Sequence, residues 1–281
     1  MRRPAITALA AAGLLAAGAA AAADVVKVGL IGTFSGGVAS WGPQFQRGAE
    51  LYMAEHGDTV GGTRIQLVIR DDGGPNPEVA KQLAQELLVR EKVQFLAGFT
   101  FTPSAMAVAP LATEAKTAMI VWNAATSVIT RRSPYIVRTS TTLWLLTKPV
   151  AEWAVKNGIT QAYVAVSDYA PGHDARDAFN KTFADAGGKV TGELLIPLQT
   201  TDFAPFMQRI KDAKPAAVYV FMPAGPSSIG FVKTFAALGL RDAGVKLLGT
   251  GEADDVELPA IGDAALGMLT GAAGFRHCVC R

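Results

Sequence analysis

The sequence predicts an α/β protein of two lobes, each a parallel sheet flanked by helices. Three observations predict it. Short β-branched apolar runs recur along the chain, helical periodicity fills the intervals between them, and the alternation breaks near the middle. Continuous apolar runs, as opposed to alternating ones, are how strands buried on both faces of a parallel sheet read. Strand–helix alternation means βαβ units and a doubly wound sheet.

The chain opens with "MRRPAITALAAAGLLAAGAAAAADVV". Arg2 and Arg3 give a positive start, an Ala/Leu-rich stretch follows, and "AAA" before Asp24 suits a small-residue cleavage site, so 1–23 reads as a secretory signal peptide. A membrane anchor would need ~20 strongly apolar residues, and this stretch is shorter and mostly alanine. Strands are then predicted at "VVKVGLIG", "RIQLVIR", "VQFLAGF" and "TAMIVWN", with "YIVRTS" as an extra one. "NPEVAKQLAQELLVREK" reads as a helix that Asn76 caps and Pro77 starts, with Val79, Leu83, Leu87 and Leu88 on one stripe. "LWLLTKPVAEWAVK" begins something new, which places a change of domain between 141 and 142. The N-terminal lobe is expected over 24–141 and the C-terminal lobe over 142–266. The second set of strands is "QAYVAVS", "KVTGELLIPL", "AAVYVFM" and "VKLLGT". Between them, "TDFAPFMQRIKDAK" is a helix capped by Thr201 or Asp202, with Phe203, Phe206, Met207 and Ile210 inward.

Half of the residues are apolar and the formal charge is only +2, with no clustered Lys/Arg footprint. That argues against nucleic acid as a partner. The two cysteines, Cys278 and Cys280, lie in the last four residues. One intervening residue is poor geometry for a bridge. With His277 they offer weak metal ligation on a terminus, and no metal or cofactor is expected.

Catalytic signatures are missing. "GLIGTFSGG" lacks the dinucleotide spacing and no P-loop occurs. "GTFSGG" departs from a nucleophile elbow by one position, and neither His56 nor His173 is placed to serve Ser35 as a base. Asp71 and Asp72 are adjacent, so their side chains diverge, and turn formation accounts for them. A secreted hydrolase using Ser35 is the rival from another class.

What remains is a set of strand-end loops rich in hydroxyls, glycine and aromatics: Ser35 to Trp41, "GFTFTPSAMAVAP", "WNAATS", "SDYAPGHD", "MPAGPSS" and "GTGEADD". In doubly wound sheets ligands bind outside the carboxyl ends of the strands. Thr100, Thr102 and Ser104 fall where a strand gives way to a helix N-terminus, which suits an anion. Trp41 and Tyr169 offer flat apolar walls, and Glu252 or Asp254 a carboxylate for an ammonium.

The stretches "VKVGLIGTFSGGVASWGPQFQRGAELYMAE", "RDDGGPNPEVAKQLAQELLVREKVQFLAGF", "NAATS", "VSDYAPGHDARDAF", "TDFAPFMQRIKDAKPAAVYVF" and "GDAALGM", taken in order, resemble the periplasmic substrate-binding proteins of branched-chain amino acid-type ABC transporters. The resemblance implies the type I periplasmic binding fold: two Rossmann-like lobes that close over one small ligand. Implied partners are a carboxylate ligand (amino acid or aromatic acid) and a membrane permease, with the binding protein periplasmic, monomeric and not an enzyme. A secreted sensor domain of the same fold is the alternative. The site residues it implies are Trp41 stacking on the ligand, Thr102 and Ser104 on its carboxylate, and Ala124 and Thr126 in the next loop. Tyr169 and Glu252 would come from the second lobe. Pro171 and Pro223 stand near positions where amino acid binders carry tyrosines, which disfavours an α-amino acid. Family members continue well past this chain, so 267–281 is expected to begin the hinge return strand and end in an aberrant tail, leaving the fold incomplete at the C-terminus.

Overall fold

The computed structural model describes residues 24–271. The expected signal peptide and the cysteine-bearing tail lie outside them. The first half forms β1 (Val25–Gly32), α1 (Trp41–His56), β2 (Thr59–Val60), β3 (Thr63–Asp71), α2 (Pro77–Val89), β4 (Phe95–Gly98), α3 (Thr102–Glu114), β5 (Ala118–Val121), a 3-10 turn (Ser127–Arg131) and β6 (Ile136–Arg138). Its strands make one sheet in the order β2-β3-β1-β4-β5-β6, parallel except where β2 pairs antiparallel with β3.

The second half forms α4 (Leu143–Lys156), β7 (Gln161–Ser167), α5 (Ala170–Asp185), β8 (Lys189–Ile196), α6 (Ala204–Ala213), β9 (Ala217–Phe221), α7 (Pro226–Ala237), β10 (Lys246–Gly249), α8 (Leu258–Ile261), a second 3-10 turn (Gly262–Ala265) and β11 (Leu269–Thr270). These strands make a separate, all-parallel sheet in the order β11-β10-β9-β7-β8. Leu269–Thr270, in the stretch where a return strand was expected, pairs with β10.

Asn76 caps α2 by accepting the Val79 N–H at 3.2 Å. The buried stripe of α2 runs through Ala80, Ala84 and Leu87, with Leu83 and Leu88 only partly buried beside it. The stripe is turned from the expected one because alanines let α2 approach α3, whose facing residues are Ala105, Val108, Ala109 and Ala112. Helix α2 also stops at Val89, short of the expected end, and Lys92 takes a left-handed conformation (φ 55°) to start the descent into β4. In α6 neither expected residue occupies the N-cap. Phe203 does, and Asp202 Oδ1 accepts the Ala204 N–H at 2.9 Å in a local turn. Phe203, Met207 and Ile210 are buried as the period requires.

Each sheet ends its strands toward the other. The loops after β4, β5, β7, β9 and β10 together line one cavity. Gly98 makes the turn out of β4 possible: its φ is +99°, and a Cβ there would collide with the Ile31 carbonyl.

Candidate functional site

The interlobe cavity has a volume of about 320 Å³. Trp41, Thr100, Thr102, Asn123 and Ala124 face it from the first sheet's loops, and Tyr169, Phe221, Pro223 and Glu252 from the second's. Its size suits a compact organic ligand.

The first wall is built on the start of α3. Phe101 takes the N-cap position in an extended conformation, and no side chain caps the helix. An uncapped first turn leaves N–H groups and the positive end of the helix dipole directed at the cavity. Thr102 is the first helical residue, and its Oγ1 lies 2.8 Å from Thr126 Oγ1. Trp41 opens α1 with its ring centroid 6.4 Å from Phe45, which in turn meets Trp122 edge-on at 5.7 Å. That buttress fixes the plane of the Trp41 indole.

Two expected contacts are not at this wall. Ser104 is fully buried and its hydroxyl donates to Asp72 Oδ2 at 3.1 Å, behind the cavity. Thr126 is buried beside Thr102 and does not border the cavity. Ala124 does border it, but its N–H is donated to the Phe99 carbonyl at 3.0 Å and its carbonyl accepts from Arg138 Nη1 at 2.6 Å. The buried Asp72 carboxylate also accepts from Thr33 Oγ1 at 2.7 Å and the Gly74 N–H at 3.2 Å. Burial pushes its pKa up, with these donors opposing.

Arg138 is a functional part that sequence reasoning missed. Its guanidinium holds the carbonyls of Ala124, Thr126 (2.6 Å) and Thr141 (3.2 Å), pinning the loop after β5 to the crossing between sheets. Burial lowers its pKa, and Asp174 pulls it back up. An arginine inside the apolar run "YIVRTS" was the available signal.

The second wall is aromatic and acidic. Tyr169 and Phe221 stack with centroids 6.3 Å apart and 25° between planes. Burial, and then the nearby Glu252, raise the Tyr169 pKa. Glu252 is only 3 % exposed. Its Oε1 accepts the Met222 N–H at 3.3 Å and its Oε2 the Thr250 N–H at 2.5 Å. Burial pushes its carboxyl up to about 7 against those donors. Asp254 also borders the cavity, but its Oδ1 accepts the N–H groups of Val256 and Glu257 at 2.8 and 3.2 Å.

Ser35 has no base. His56 bonds the Tyr52 carbonyl and stacks on the Tyr52 ring, and His173 pairs with Asp168 at 2.8 Å. Asp71 accepts the N–H groups of Phe34 and Gly73 at 2.8 and 2.9 Å, a turn-forming role. Among the described residues no group of three or more His, Cys, Asp or Glu is arranged to hold a metal ion, and no helix is long and apolar enough to cross a membrane.

The family model for periplasmic binding proteins matches residues 25–278. A relative from Brucella melitensis, Leu/Ile/Val-binding protein homolog 6, is 48% identical over 271 residues, covering 96% of this chain and 69% of that one. An ABC-transporter solute-binding protein from R. palustris, solved in complex with 4-hydroxybenzoate, is 52% identical with a TM-score of 0.85, over 87% of this chain and 67% of that one. Another, from Rhodopseudomonas palustris BisB5 in complex with 3,4-dihydroxybenzoic acid, is 50% identical with a TM-score of 0.83, over 88% and 68%. These relatives are binding proteins. This chain belongs to the periplasmic binding protein family, in the type I fold of ABC-transporter solute-binding proteins.

Proposed function

We propose that this protein captures a small aromatic carboxylate in the interlobe cavity and delivers it to the permease of an ABC transporter. It acts as a monomeric binder in the periplasm, exported by residues 1–23, and not as an enzyme. The lobes, 24–141 and 142–266, close over the ligand about the crossing near Thr141. The observation that carries the reading is the uncapped start of α3, with Thr102 at the cavity wall and flat rings on both sides. A carboxylate there meets free N–H groups, and Trp41 and Tyr169 cover the apolar body of the ligand. The backbone donors that hold Glu252, with Pro171 and Pro223 beside the cavity, leave an α-amino group poorly served. The complexes of similar proteins with hydroxylated benzoates support the aromatic choice.

A branched-chain amino acid is the second reading, favoured by the name of the Brucella relatives. Thermal shift followed by calorimetry with 4-hydroxybenzoate, benzoate and leucine separates them. The expected result is a raised melting temperature with the aromatic acids and none with leucine. Stabilisation by leucine alone overturns the aromatic reading, and no response to any of the three overturns the cavity assignment.

A further inference from the structure

We propose that Phe101 is a partition inside the interlobe cleft and sets the length of ligand that the protein takes. It divides the ligand cavity from a second, apolar compartment and so restricts the site to acids of a single ring. The proposal rests on the reading of the first cavity as an aromatic-acid site.

The second compartment has a volume of about 390 Å³ and also lies between the lobes. Gly37, Val38 and Gly74 face it from the loops after β1 and β3, and Leu198, Gln199 and Thr200 from the loop after β8. Strand order sets the two spaces side by side. In the first sheet β1 and β3 lie on one side of β4, and β5 lies on the other. The loops after β1 and β3 accordingly serve the second compartment, and the loop after β5 serves the ligand cavity.

Phe101 from the first lobe, and Pro223 and Ala224 from the second, border both spaces. Of these, Phe101 carries the one side chain large enough to fill the passage between them. It is only 9 % exposed. Its backbone is held by the first turn of α3, where its carbonyl accepts the Ala105 N–H at 3.1 Å. No charged side chain lines the second compartment, and Val38, Leu198 and Phe203 give it apolar walls. It offers no cation to a second carboxylate, and its walls suit a hydrocarbon ring. A single-ring acid stays on the near side of Phe101, whereas a second ring needs the space that Phe101 occupies.

Calorimetry with benzoate and with 2-, 3- and 4-phenylbenzoate tests this on the wild-type protein and on Phe101→Ala. The reading is the affinity relative to benzoate within each protein, so a general weakening by the variant drops out. In the wild type every phenylbenzoate is expected to bind at least about tenfold more weakly than benzoate. In Phe101→Ala at least one isomer is expected to bind at least about tenfold more tightly than benzoate, because its outer ring is buried in the joined space. The same isomer with a carboxylate on its outer ring is expected to lose that gain. A wild type that binds a phenylbenzoate as tightly as benzoate overturns the partition and leaves the aromatic-acid reading standing. So does a variant in which no isomer gains. A gain kept by the dicarboxylate also overturns it, since the outer ring would then lie in solvent. Failure of benzoate and all three isomers to bind the wild type overturns both. The wild-type series needs no variant, so the proposal stays testable if Phe101→Ala, which empties a buried site, does not fold.

Discussion

Ser127 gives Asp174 both of its donors: its hydroxyl reaches Oδ1 at 2.7 Å and its N–H reaches Oδ2 at 2.9 Å. Ser127 opens the 3-10 turn after β5, and Asp174 lies on α5, so the pair joins the two halves of the molecule. Trp144 Nε1 on α4 donates to the same Oδ1 at 3.1 Å. Three donors on one carboxylate, two from the 3-10 turn and one from α4, make Asp174 the fastening point beside the crossing.

Asp174→Ala removes all three hydrogen bonds at once. Hydrogen bonds to a charged group contribute about 1.5–3 kcal/mol each where desolvated, and they act here as a unit, so a loss of about 2–3 kcal/mol is expected. Ser127→Ala keeps the backbone N–H bond and is expected to cost about 1 kcal/mol. Urea titrations check the order. A Ser127→Ala loss as large as that of Asp174→Ala would place the strength in the hydroxyl alone.

Thr102 and Ser104 should separate in their effects. Thr102→Val removes a hydroxyl at the cavity wall and is expected to weaken binding of 4-hydroxybenzoate by about 1–2 kcal/mol, with a stability loss of about 1–2 kcal/mol because the buried Thr126 hydroxyl loses its partner. Ser104→Ala strips a donor from the buried Asp72 carboxylate. Stability falls by about 1–3 kcal/mol while affinity stays near wild type. Calorimetry and melting on both variants read the split directly. An affinity loss in Ser104→Ala equal to that in Thr102→Val would return Ser104 to the ligand.

That split shows what the sequence could and could not convey. The strands were legible because runs such as "VVKVGLIG" and "QAYVAVS" are apolar without alternation, and position after a strand end brought Trp41, Thr102, Tyr169 and Glu252 to one cavity. Which hydroxyl faces inward was not legible from composition. Residues two apart on a helix point about 200° from each other, so Thr102 at the wall turns Ser104 toward Asp72. The turned stripe of α2 has a similar origin, since leucines mark the apolar side while the closest approach falls on the alanines. Arg138 was hidden because its partners are carbonyl groups from three separate positions, which carry no residue code.

Stability should depend on pH through Glu252. Its carboxyl is raised from the ordinary 4.5 to about 7 by burial, so between those values the folded protein holds a proton that the unfolded chain has released. Stability from this group is full below the unfolded pKa and falls as pH rises toward about 7, by up to about 3 kcal/mol in all. Beyond that it is flat. Glu257, pushed up to about 8 by burial and by Asp254, adds a loss of the same sign that starts from the same ordinary 4.5 and runs on to about 8. Urea unfolding at pH 5 and pH 8 is expected to show a smaller drop for Glu252→Gln than for the wild type. Equal drops would show that Glu252 does not titrate in this range.

The far lip of the cleft closes on a glycine. Gly225 has φ +93°, and a Cβ there would meet Val38 Cγ1 at 2.8 Å and the Gly37 carbonyl at 3.2 Å. Gly37 and Val38 belong to the loop after β1, so the lobes touch across the cavity mouth through a position with no room for a side chain. Gly225→Ala therefore acts in two ways: it strains the entry to α7 and wedges the lip open. The first effect costs about 1–3 kcal/mol of stability. The second is expected to weaken ligand binding about tenfold, because closure no longer completes the second wall around the ligand. Trimming the opposing side chain in Gly225→Ala/Val38→Gly relieves the collision with Cγ1 and leaves the backbone strain in place. Affinity should then recover toward wild type while the melting temperature stays low. Small-angle scattering with and without 4-hydroxybenzoate reads the closure itself, and a compaction in Gly225→Ala as large as in the wild type would rule out the wedge.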